Sequence, residues 1–167
     1  MTVDEYELER ETSAPIDMLE SYFSAHGWEY ERQDDEVIAK VKGSWTQYEL
    51  RALWRDEDSV IQFLAFPDIR VTDDRRSALY ETVGLINEQL WVGHFEIWSA
   101  SNILLYRHAA MIDGDGGTLS LAAAELLVES AIEECERFYP VFQFVLWGGK
   151  TPREALAAAL IETQGEA

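Results

Sequence analysis

From Glu36 to Phe66 the chain alternates between apolar and polar residues. Val37, Ala39 and Val41 fall on one side of a short stretch whose other side carries Lys40 and Lys42. Between Trp45 and Arg55, the residues Tyr48, Leu50, Ala52 and Trp54 share one face, and Gln47, Glu49 and Arg51 share the other. A period of two with one apolar face marks a half-buried antiparallel strand, and it places Leu50 between the sheet and a helix. Val60 to Phe66 reads as the next strand, ended by Pro67, which has no N–H to give to a ladder. Trp28 to Arg32 reads as a short strand before this run. His94–Trp98 and Ile103–His108 read as two more after it, joined by Ser99–Asn102. The polar clusters Gln33-Asp34-Asp35, Lys42-Gly43-Ser44 and Asp56–Ser59 supply the turns.

Elsewhere the apolar period lengthens to that of a helix. Ser13 and Pro15 mark a start, Ile16, Leu19, Tyr22 and Phe23 form one face, and Gly27 suits the position just past the end. The Val71–Asp74 stretch offers N-caps for a second helix reaching about Leu90, with Leu79, Val83, Ile86 and Leu90 as its stripe and Gly93 as its stop. Met111–Gly117 reads as a glycine-rich loop. Beyond it Leu121, Ala124, Leu127, Val128, Ala131 and Cys135 recur at helical spacing, with Glu125, Glu129, Glu133 and Glu136 away from the stripe. Pro140 is expected to kink or end this helix. The aromatic-rich segment from Phe138 to Trp147 then needs an apolar seat of its own. A last helix starts with Thr151 as N-cap, Pro152 at the first helical position and Glu154 as the capping-box acid.

These elements predict an α+β fold: an antiparallel sheet of about five or six strands with helices packed on one face. A chain of 167 residues is long enough for one such domain with a real core. Residues 1–12 read as an acidic N-terminal arm, and residues 13–167 as a single domain with a helical C-terminal tail. Charge changes the picture more than length does. The net charge is −19. Residues 1–36 carry 12 acids against 2 bases, whereas residues 40–76 carry 7 of each. Such a surface favours solubility and the steering of basic partners, and disfavours nucleic acid and anionic membrane. The opening residues lack the basic and apolar regions of a secretory signal, and no apolar run approaches the length of a membrane span, so the expected compartment is the cytoplasm.

Candidate chemistry fails residue by residue. Gly149-Lys150-Thr151 invites a phosphate-loop reading, but Phe144 stands where the pattern requires its first glycine. Asp113-Gly114-Asp115-Gly116-Gly117 hints at calcium, but Ala124 holds the place of the bidentate acid. Cys135 is the only cysteine and sits between Glu134 and Glu136, whose charges discourage a thiolate. His26, His94 and His108 have no metal-motif spacing. No catalytic residue, metal or cofactor is therefore expected. Six tryptophans belong either to the core or to a partner groove, since indole offers a large contact area with a polar tip.

Three passages carry a resemblance. They are Gly27-Trp28, the run from Leu85 to Trp98 (LINEQLWVGHFEIW), and Glu134–Pro140 followed by Trp147-Gly148-Gly149-Lys150. Together they resemble the YbjN-domain family, bacterial proteins whose fold is similar to that of type III secretion chaperones, over about residues 13–165. The resemblance implies a sensory-transduction regulator or a chaperone-like binding protein, and it brings no catalytic residues. The expected function is a non-enzymatic module that binds a basic or amphipathic polypeptide segment against apolar strands. The alternative is a small-molecule-sensing regulator with an aromatic pocket. A homodimer is expected, with Leu90, Trp91, Phe95, Ile97, Trp98, Leu104 and Tyr106 as the partner or dimer surface.

Overall fold

The computed structural model describes residues 14–112 and 117–165. Helix α1 (Pro15–Ala25) leads into a meander of β1 (Glu29–Gln33), β2 (Glu36–Lys42), β3 (Gln47–Arg55) and β4 (Val60–Phe66), each antiparallel to the next. Helix α2 (Arg76–Asn87), the hairpin of β5 (His94–Trp98) and β6 (Ile103–Met111), and helices α3 (Leu121–Leu146) and α4 (Pro152–Gly165) follow. The six strands stand in the order β1-β2-β3-β4-β6-β5. The α2 crossing carries the chain past the slot beside β4, β5 takes the edge, and the hairpin returns β6 to fill the slot. The sheet is antiparallel throughout and the fold is α+β, as the alternation requires.

The inner face is the one the period-two pattern marks. Tyr48, Leu50 and Ala52 of β3 are fully buried, beside Ile61, Phe63 and Ala65 of β4 and Leu104 and Tyr106 of β6. Helix α1 brings Ile16, Leu19 and Phe23 against them, and α3 brings Ala131, Cys135, Phe138 and Phe142. Phe95 of β5 meets Phe138 and Phe142 edge-on, with centroids 6.1 and 5.3 Å apart. This is the favoured geometry for buried rings. Polar ties set the helix ends. Arg32 of β1 bridges Asp17 and Glu20 of α1 at 2.8 and 2.7 Å. Arg75 donates to the Val145 carbonyl at the end of α3, where a cation also meets the negative end of the helix dipole. Thr151 caps α4 through the Glu154 N–H.

Some boundaries differ from the sequence reading. Helix α2 ends at Asn87 and not near Leu90, and β6 runs on to Met111. Ser13 and residues 1–12 lie outside the described residues. Ala14 occupies the N-cap position of α1, its N–H given to the Asp17 carboxylate at 2.9 Å.

The larger correction concerns Pro140. It neither ends α3 nor separates the aromatic segment from it; one 26-residue helix runs from Leu121 to Leu146. A proline inside a helix leaves the carbonyl four residues earlier without its N–H donor, here that of Glu136. The Trp45 indole supplies a donor from outside, its Nε1–H reaching the Glu136 carbonyl at 3.1 Å. The Glu136 carboxylate in turn accepts the Ser44 N–H at 2.6 Å, and the Trp45 and Tyr139 rings lie parallel with centroids 6.2 Å apart. Gly43 allows this approach, because a Cβ there would run into the Tyr48 ring and the Glu136 carboxylate. The β2–β3 turn is thus clasped to the helix at the place the proline weakens. Trp45→Phe is expected to destabilise the chain by about 0.5–1.5 kcal/mol. In a Pro140→Ala background, where the carbonyl regains its intrahelical donor, the same change should cost measurably less. A denaturant double-mutant cycle with equal costs in both backgrounds would refute the pairing.

Candidate functional site

The outer face of the sheet carries a second apolar cluster. It consists of Leu64, Phe66 and Leu105, with Leu53 and Ile103 packed at its margin, all of them strand residues. The cluster arises because β4 loses its alternation: Phe63, Leu64, Ala65 and Phe66 are all buried, so both faces of the strand are apolar at its end. Charged side chains shield the cluster. Leu64 lies in register between Arg51 of β3 and Arg107 of β6. The Arg51 guanidinium stands 5.1 Å from the centre of the Phe66 ring while pairing with Glu49 at 2.9 Å. Arg107 pairs with Glu96 of β5. Long arginine stems cover apolar surface while their heads stay wet.

At one end of this face the shielding opens. Trp98 of β5 meets Phe66 edge-on at 5.5 Å and is 37% exposed. Beside the pair is an open cavity of about 300 Å³. Phe66, Trp98 and Ile103 give it an apolar wall, and Lys40, Glu49, Arg51, Asp68 and Arg70 give it a charged rim. An apolar seat with a few convergent polar groups is the usual form of a binding site.

The seven residues expected to form a partner surface separate into three groups. Phe95, Ile97, Leu104 and Tyr106 face inward and are buried in the chain's own core, which corrects the expectation that they lie on a surface. The physical reason is that β5 and β6 need their apolar parity to seat α3. Leu90 is partly buried against the same core. Trp98 joins the outer face, and Trp91 is 100% exposed.

Trp91 stands on a braced turn. The Asn87 side-chain amide bonds both the N–H and the carbonyl of Phe95, at 2.9 and 3.0 Å, acting as a short strand on the outer edge of β5. The Tyr106 hydroxyl donates to the Val92 carbonyl at 2.9 Å. Gly93 has φ +68, and a Cβ there would strike the Tyr106 phenol, so only glycine fits.

Of the described residues weighed for catalysis, only His94 and His108 come near one another, on the adjacent strands β5 and β6. Cys135 is fully buried, and burial together with Glu134 and Glu136 pushes its thiol pKa up, against thiolate formation. His26 stacks on Tyr22, and His94 lies 3.4 Å from Glu96. Burial, with His94 nearby, lowers the pKa of His108. Lys150 sits over the Phe144 ring at 5.5 Å. Among the described residues no group of three or more His, Cys, Asp or Glu is placed to hold a metal ion. Asp113 and Asp115 of the weighed calcium loop lie outside the described residues. No described helix is long and apolar enough to cross a membrane.

The family model for YbjN, described as "Putative bacterial sensory transduction regulator", matches residues 15–144. The chain belongs to the YbjN family. A crystal structure of YbjN from E. coli is similar in fold, with TM-score 0.53 and 12% identity over 74% of this chain and 87% of that one. The crystal structure of a complex of ExsC with ExsE is also similar, with TM-score 0.46 and 12% identity over 73% of this chain and 88% of that one. No curated protein matches the sequence. The run from Leu85 to Trp98 that carried the family resemblance is, in this YbjN-family chain, the braced Trp91 turn and the strand after it.

Because Trp91 touches nothing in its own chain while its turn is held from both sides, Trp91→Ser should change the unfolding free energy of the monomer, measured at a dilution that separates any dimer, by no more than about 0.5 kcal/mol. It should also remove the tryptophan emission most accessible to acrylamide. A larger stability loss, or unchanged quenching, would mean that the indole packs on the protein in solution.

Proposed function

We propose that this chain is a non-enzymatic regulatory module that binds a polypeptide segment on the outer face of its sheet. The observation that carries the reading is the second apolar cluster, which ends at the Phe66–Trp98 pair beside an open cavity. A bulky side chain of a bound segment would complete the aromatic seat, and the paired arginines would fix its register. The family description as a sensory-transduction regulator accords with a module that acts by binding. The same cavity supports the second reading, a small-molecule sensor, since 300 Å³ bounded by two aromatic rings is enough for a compact ligand.

The test is a random peptide library selected on the full chain, with the binding position read by NMR shift perturbation. Selected peptides should perturb Leu53, Leu64, Phe66, Trp98 and Leu105. Trp98→Ala should weaken them about tenfold or more while the chain keeps a cooperative melt only a few degrees lower, from the loss of the Phe66 contact. Perturbation confined to the Trp91 turn would overturn the reading. A metabolite retained in native mass spectrometry and lost in Trp98→Ala would favour the sensor instead.

A homodimer through α2 and the β5–β6 hairpin is part of the same proposal. With the inward residues of that hairpin in the core, such an interface would rest on Tyr80, which is 45% exposed, and on Trp91. Sedimentation equilibrium at micromolar concentration should then give twice 19.1 kDa, falling toward 19.1 kDa in a Tyr80→Ser/Trp91→Ser variant. A monomer mass for the unaltered chain rejects the dimer.

A further inference from the structure

We propose that the segment received by the outer face is acidic: it sets an aspartate or glutamate beside a bulky apolar side chain. The apolar side chain lies against Phe66 and Trp98, and the carboxylate meets Lys40 and Arg70. The inference rests on the outer-face reading and adds the chemistry of the partner.

Net charge points the other way. At −19 the chain as a whole attracts basic partners. The cavity rim differs from the chain that carries it. Lys40, Arg51 and Arg70 line it against Glu49 and Asp68. Glu49 is engaged by Arg51 at 2.9 Å through two guanidinium nitrogens. Lys40 and Arg70 are exposed, and neither has an ion-pair partner among the described residues. Asp68 has none there either, and Lys40 lies in register between Glu29 of β1 and Glu49 of β3 without a close ion pair to either, so the rim offers two cations without a close partner against one such carboxylate. The other arginines of the region are matched: Arg55 with Asp58, Arg76 with Asp73, and Arg107 with Glu96.

Among the described residues Lys42, Arg75, Lys150 and Arg153 also lack a carboxylate partner, but Lys40 and Arg70 are the two such cations that line this cavity. Together at its mouth they form a surface that a carboxylate completes and an ammonium does not. A lysine entering here would meet Lys40, Arg51 and Arg70 with Asp68 and the already engaged Glu49 to receive it. The apolar wall fixes the rest of the chemistry, because a bare acidic run would leave Phe66 and Trp98 open to water.

Long-range and short-range charge then have opposite signs, and this gives the binding a kinetic signature. Added salt screens the repulsion between the acidic chain and an acidic segment, so association quickens. It also screens the pairs with Lys40 and Arg70, so dissociation quickens as well. A basic segment would associate more slowly as salt rises.

The test selects random peptides on the unaltered full chain, then measures the winners against Lys40→Glu/Arg70→Glu and against Trp98→Ala. All three altered residues are exposed enough for the melting temperature to report that the fold is kept. The expected winners carry Asp or Glu within two residues of Phe, Leu or Trp. They weaken about tenfold or more on the double charge reversal, and their association rate rises with salt. Winners rich in Lys or Arg would overturn the proposal. So would winners indifferent to the charge reversal yet lost in Trp98→Ala; in that case the face binds segments and only the partner chemistry is wrong. Winners indifferent to Trp98→Ala, or no winners at all, would overturn the outer-face reading and this inference with it.

Discussion

The inner face of the sheet must be covered, and α3 does much of the covering with a proline inside it. That constraint organises the molecule. The helix runs from Leu121 to Leu146 and seats Ala131, Cys135, Phe138 and Phe142 together in the core, with Pro140 inside the stretch that carries them. Pro140 removes one hydrogen bond in the middle of that span. The Trp45 indole restores a donor to the orphaned Glu136 carbonyl, and the Ser44 N–H engages the same residue's carboxylate. The turn between two strands thus fixes the helix against the sheet. Arg75 holds the far end by taking the Val145 carbonyl.

Covering one face leaves the other to be managed without a helix. An apolar outer face on a six-stranded sheet invites association, and exposed edges add to the hazard. Here charged residues limit it. Arg51 and Arg107 flank Leu64, each held by a carboxylate on its own or a neighbouring strand. Asn87 takes the outward backbone groups of Phe95 on the β5 edge. The shielding fails only toward Phe66 and Trp98, where the strands end and the cavity opens. The proposed site is therefore the place on this sheet face where apolar surface stays available beside a cavity, whereas Trp91 and Tyr80 are exposed outside that face.

Much of this was legible in the sequence because it is local. The β2 and β4 boundaries follow from alternation and turn residues, and the Thr151-Pro152-x-Glu154 start of α4 from capping chemistry. Leu50 is fully buried for the reason its strand face gives. What was not legible depends on distant partners. Nothing near Pro140 announces that Trp45, 95 positions earlier, will supply a donor. The apolar residues of β5 and β6 read equally well as core or as interface, and only the docking of α3 assigns Phe95, Ile97, Leu104 and Tyr106 to the core. The outer cluster did have a local sign. Four consecutive buried residues, Phe63 to Phe66, break the alternation and call for burial on both faces.

Charge shows most clearly how a total can mislead about a site. The −19 of the whole chain and the equal numbers of acids and bases in residues 40–76 are both properties of composition. Neither says which charges are satisfied. Pairing decides that. Arg51, Arg55, Arg76 and Arg107 each find a carboxylate on a neighbouring strand, turn or residue, while Lys40 and Arg70 are left together at the cavity mouth. The field seen from afar is negative, and the field felt by a group within a few ångströms of Phe66 is set by the charges that line the cavity, because water and salt screen the distant acids far more strongly than the near groups. A partner is chosen at contact distance, so the proposed preference of this face rests on the charges at the cavity mouth and not on the composition.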